Sequence, residues 1–185
     1  MSGIQDAILL TLQAKLQIVM IDALEEGDPT RAGVVKIGDL QGDPDPDQAR
    51  ISITLFVNDP DQELGGNQLG VSGSEWDDQI EETEIGGGIV WRRRFTVKAR
   101  CLMVNSREDA TTSRSIATQV KQRIEKTILS MNYGGVAVDN EFVCRGAFGD
   151  SVRSEMLFSG GPPDSYDYHI KIRFDVLTSE MIGVN

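Results

Sequence analysis

IVWRRRFTVKARCLMV, residues Ile89–Val104, is the longest segment of regular alternation in the chain. Its side chains alternate between apolar and basic, which is typical of a β-strand with one buried face. The apolar face carries Trp91, Phe95, Val97, Ala99, Cys101 and Met103. The other face carries Arg92, Arg94, Lys98 and Arg100, and Arg93 alone breaks the alternation. At about 3.3 Å per residue the strand would be about 50 Å long, so we expect it to run past the edge of its sheet.

The residues on either side predict two helices and several shorter strands. The first helix begins near Ser2, and the second lies between Ser106 and Gly134, which are a capping residue and a stop signal. The second helix has a narrow apolar stripe made of Ile116, Ala117, Val120, Ile124 and Ile128. The predicted strands are residues 34–40, 50–59, two segments within 136–159, and 166–178. This order predicts an α+β fold in a single domain, residues 1–185: a mainly antiparallel sheet, two helices packed on one face, and a long β-hairpin excursion.

The first helix is apolar over more than one face, which a surface helix of a monomer would not be. Its helical repeat consists of Ile4, Ala7, Ile8, Leu12, Leu16 and Val19, and the residues that widen it are Leu9, Leu10, Ile18, Met20, Ile21 and Leu24. Two interpretations are open. The helix is buried deep in the core of its own domain, or it lies between its own sheet and a neighbouring subunit.

The excursion, residues 58–88, concentrates the negative charge of the chain. It contains nine acidic residues and no lysine or arginine, in a protein whose net charge is −11. Loops longer than about 15 residues are uncommon and are often functional. The acidic segment Glu75–Glu84 directly precedes the basic strand, so the two carry complementary charge.

Composition argues against several classes of protein. A pI near 4.5 is unlike that of a general nucleic-acid binder. No run of residues approaches the ~20 apolar residues of a membrane-spanning helix, and we expect no secretory signal at the N-terminus. Cys101 and Cys144 are the only cysteines, which favours a reducing cytoplasm over a disulfide framework.

No catalytic, cofactor or metal site is predicted, and we expect the chain not to be an enzyme. His169 is the only histidine, and the sequence places it on a solvated strand face with Asp167 and Lys171. A reactive pair of Cys144 and His169 has no support in the sequence. The DPDPD segment at 43–47 lacks the glycine and the glutamate that a calcium loop needs. Nucleophile-elbow, phosphate-loop, dinucleotide-binding and zinc-protease motifs are absent.

The basic face of the long strand therefore has three interpretations. It is a solvated exterior face, it pairs with acidic residues of a neighbouring copy, or it contacts nucleic acid. Complementary charge at a subunit contact would fix partner and register. The candidate interface residues are Arg92, Arg94, Lys98, Arg100, Glu75, Asp77, Asp78, Glu81, Glu82 and Glu84.

The layout resembles that of the tail terminator, or tail-completion, proteins of tailed bacteriophages and of contractile injection systems. The resemblance rests on IQDAILLTLQAKLQ (4–17), on ISITLFVNDPDQ (51–62), and on the strand, turn and helix RRRFTVKARCLMVNSREDATTSRSIATQVKQRIEKTIL (92–129). It implies a structural virion protein without enzymatic activity or cofactor. Such a protein forms a hexameric ring that caps the tail tube, ends tube polymerisation and joins the tail to the neck.

The resemblance also implies partners and a location. The partners would be further copies of the chain, the tail tube protein, the neck or connector protein and the tail sheath, with phage DNA passing through the lumen without specific binding and no membrane involved. The protein would assemble in the host cytoplasm and reside in the tail or neck of the virion. The alternatives are another neck or tail component (a head–tail adaptor, a collar or a tube protein) and a nucleic-acid-binding module.

Overall fold

A computed structural model describes residues 4–38, 50–57, 81–82, 88–104, 110–131, 136–138, 142–147, 152–159 and 165–181. These ranges contain the helices α1 (Ile4–Gln17) and α2 (Ala110–Ser130), and a π-helical turn (Ile18–Asp22) continues α1. The strands are β1 (Val34–Ile37), β2 (Ile51–Val57), β3 (Glu81–Glu82), β4 (Gly88–Val104), β5 (Val136–Val138), β6 (Phe142–Ala147), β7 (Arg153–Phe158) and β8 (Ser165–Met181).

The strands form one sheet in the order β1-β2-β4-β8-β6-β5, with β3 paired to β4 and β7 paired to β8. Only β1 and β2 run parallel among the described strand pairs, and the other pairs are antiparallel. The predicted α+β class with a mainly antiparallel sheet is therefore confirmed. We retain the finer prediction that both helices pack on one face. Most of the predicted hairpin excursion, and the DPDPD segment, lie outside the described residues.

The long strand β4 has the predicted length, and it continues beyond the neighbouring strand on one side together with a second long strand on the other. β8 is equally long and pairs with it throughout, from Gly88 opposite Met181 to Val104 opposite Ser165. On the other side β2 pairs with β4 only between Phe95 and Cys101. The two long strands thus continue together beyond β2, which keeps the backbone of β4 hydrogen-bonded along its length.

The core lies on the apolar face of the three central strands. Phe95 of β4 and Phe174 of β8 face each other, and their ring centroids are 5.6 Å apart. The buried cluster adds alternate residues of β2, β4 and β8, including Ile53, Val97 and Ile172. Both helices bury apolar residues in the same cluster, and every residue of the predicted stripe on α2 is buried. Alternation along the strands and helical spacing along α2 therefore located the core correctly.

The first helix has a buried side and an exposed apolar stripe. α1 contacts β1, β2, β5 and α2. Its residues Ile8, Leu12 and Leu16 are fully buried. Leu10 and Ile18 remain 51% and 58% exposed. With the exposed Ala14 between them, they recur every fourth residue and so share one face. Burial in the core accounts for one side of the helix and leaves this stripe without an explanation.

Candidate subunit interface

Lys98 and Arg100 of β4 lie on the face of the sheet opposite the core, because successive strand residues point to opposite sides and their neighbours Val97, Ala99 and Cys101 are buried. Arg100 stands opposite His169 of β8, and Lys98 stands opposite another lysine, Lys171. In the backbone register Arg92 and Arg94 stand opposite Leu177 and Asp175.

Arg100 binds a carboxylate of its own chain. Its Nε lies 3.1 Å from Oδ1 and 3.2 Å from Oδ2 of Asp167, and its Nη2 lies 2.8 Å from Oδ2. His169 Nε2 is 3.3 Å from the same Oδ2. A guanidinium that donates to both oxygens of a carboxylate makes one of the stronger ion pairs in proteins. The sequence indicated the acidic excursion as the nearest counter-charge for the basic strand. In the structure the counter-charge of Arg100 is Asp167 of β8.

Asp167 corrects the expectation that the outer residues of the last strand are solvated. The residue is only 6% exposed, whereas the side chain of its neighbour His169 is 49% exposed. Burial alone raises the pKa of Asp167. The hydrogen bond from Arg100 and the charges of His169 and Arg100 outweigh burial, so the pKa of the carboxyl lies below its usual value. The carboxylate is therefore ionised at neutral pH and holds β8 against β4.

The outer face next to β2 is also covered and not freely solvated. Lys98 Nζ lies 5.5 Å from the centroid of the Phe56 ring, a distance at which a cation is attracted to an aromatic face. Phe56 is 9% exposed, and Thr54 and Thr96 on the same face are 6% and 1% exposed. Gly38, which follows β1, lies directly against the Phe56 ring. Part of the basic face is thus committed to contacts within the chain.

Part of the acidic segment returns to the basic strand within one chain. Glu81 and Glu82 form β3, which pairs with β4 at Val90 and Ile89. The other predicted acidic partners, Glu75, Asp77, Asp78 and Glu84, lie outside the described residues. The pairing of the acidic segment with the basic face of a neighbouring copy stays a prediction.

A second charged surface, which the sequence did not reveal, lies where β7 pairs with β8. Arg153 stands directly opposite Arg173, and Glu155 stands opposite Lys171. Glu155 Oε1 lies 4.0 Å from Arg173 Nη2, and both side chains are about half exposed. Like charges at facing strand positions repel each other, and Glu155 offsets part of that repulsion. Alternation indicated that these residues are polar, but only the strand register shows which of them face each other.

The sequence indicated excess apolar residues on the first helix, including Leu10 and Ile18, but it did not reveal the exposed apolar residues at the end of β7. Among the described residues four large apolar side chains are exposed, and they fall into two pairs. Leu10 lies on α1, and Ile18 begins the π-helical turn that continues it. Leu157 and Phe158, which are 61% and 57% exposed, end β7 and point to opposite faces of the sheet. The Phe158 ring leans on Tyr168, with centroids 5.2 Å apart. α1 packs on β1, β2 and β5, whereas β7 pairs with β8.

The groups considered for chemistry lie apart from one another. Cys144 stands opposite Thr178, nine residues from His169 along β8, which is about 30 Å. The pair cannot act together. Burial raises the pKa of the Cys101 thiol to about 12, so the sulfur is not a nucleophile at neutral pH. The described part of the chain has no cluster of histidine, cysteine and carboxylate side chains that could hold a metal ion.

Comparison with known proteins does not indicate a function, so the function must be inferred from the fold and from the contacts described above. The chain matches no protein-family model, and it has no significant match among curated protein sequences. Within the described residues, neither helix has the length and apolar character needed to cross a membrane.

Proposed function

We propose that this chain is a structural virion protein of a tailed phage, a tail terminator that forms a ring of six copies at the end of the tail tube. In this role it ends tube polymerisation and joins the tail to the neck or connector. The proposal rests on the resemblance in layout described above and on the α+β domain with a long central strand. It assigns no catalytic residue and no cofactor.

The observation that carries the proposal is the presence of exposed apolar side chains at two separate places on one domain. Leu10 and Ile18 share one helix face with Ala14, and Leu157 lies on the outer face of β7, whereas Phe158 lies on the opposite face beside Tyr168. A stripe of exposed apolar side chains favours association. A subunit that uses two different surfaces forms head-to-tail contacts, and such contacts close into a ring when the rotation between copies permits.

The proposed partners follow from the position of such a ring. They are further copies of the chain, the tube protein on one side and the neck or connector protein on the other, with the tail sheath as a further neighbour. Phage DNA would pass through the lumen without specific binding. Another neck or tail component, such as an adaptor, a collar or a tube protein, is the alternative that shares the same surfaces.

A nucleic-acid-binding module is a weaker alternative. Arg100 is held by Asp167 and Lys98 lies over Phe56, so two of the four basic residues are engaged within the chain. Binding to DNA through the remaining phosphate contacts would fall steeply as salt is raised.

The proposal is tested by native mass spectrometry over a range of protein concentrations, followed by electron microscopy of the protein mixed with tail tubes of the virus that encodes it. We expect a sixfold species in solution or a ring on one end of each tube, and tubes of fixed length when the protein is present during assembly. Tubes that stay bare and grow to the same lengths with and without the protein would refute the terminator role.

A further inference from the structure

We draw no further inference here: the strongest candidate, the exposed apolar stripe that Leu10, Ala14 and Ile18 form along α1 and its π-helical turn, is an unpartnered helix face, and nothing in the structure shows what covers it.

Discussion

Removing the carboxylate of Asp167 is the sharpest test of how β4 and β8 are held together. In the variant Asp167→Ala the guanidinium of Arg100 loses three contacts of 2.8–3.2 Å. Hydrogen bonds to charged groups contribute about 1.5–3 kcal/mol to stability, and breaking a fully buried ion pair costs about 3–5 kcal/mol. The Arg100 side chain is 34% exposed and regains some hydration. We therefore expect the variant to lose about 2–3 kcal/mol of unfolding free energy.

The converse change should cost more. Arg100→Leu leaves the carboxylate of Asp167, whose side chain is only 9% exposed, with the ring of His169 beside it. We expect a loss of about 3 kcal/mol or more, because a buried anion is harder to rehydrate than a guanidinium at the surface. Replacing both residues with leucine should cost clearly less than the sum of the two single changes. The coupling energy of this cycle should be about 2 kcal/mol.

Urea unfolding at pH 7, followed by circular dichroism, measures these free energies. His169→Ala is the control, because an exposed ion-pair partner contributes only about 0–1 kcal/mol. The reasoning is refuted if Asp167→Ala costs less than about 0.5 kcal/mol and the coupling energy is near zero. That result would mean that water screens the pair despite its burial.

Acid unfolding, thiol labelling and a glycine substitution test three other contacts of the fold. Because the pKa of Asp167 is lowered in the fold, the carboxylate stabilises the protein above the unfolded pKa of about 3.9, and this stabilisation is lost as the pH falls through the folded pKa. The difference in unfolding free energy between the wild type and Asp167→Asn should therefore shrink in acid unfolding curves. In a variant with Cys144 replaced by serine, the Cys101 thiol should resist a thiol reagent at pH 8 and react at once in urea, because its pKa is about 12 in the fold. Rapid labelling of the native protein would contradict the burial of this thiol. Gly38→Ala should destabilise the fold by about 1–3 kcal/mol, because the new methyl group overlaps the Phe56 ring. In a thermal unfolding assay, adding Phe56→Leu to that variant should recover part of the loss, and equal melting temperatures for all three proteins would refute the contact.

Local patterns in the sequence were sufficient to predict the elements and the core. The alternation in β4 and β8 identified the apolar core face, because a strand with one buried face has a period of two, but it did not predict that Thr96 and Asp167 on the other face are buried as well. Helical spacing identified the buried stripe of α2, because residues three or four positions apart lie on one face of a helix. The parallel pairing of β1 with β2 was not predicted, because the sequence carries no signal for the direction of so short an edge strand.

Contacts between distant residues could not be predicted in this way. Arg100 and Asp167 are separated by 67 positions, and their contact depends on the exact register of β4 against β8. A shift by one residue would move every side chain to the other face, so the alternating pattern limits the register without fixing it. Leu157 and Phe158 were missed because two consecutive apolar residues do not indicate which face of a strand is buried. Their exposure follows from the place of β7 in the sheet.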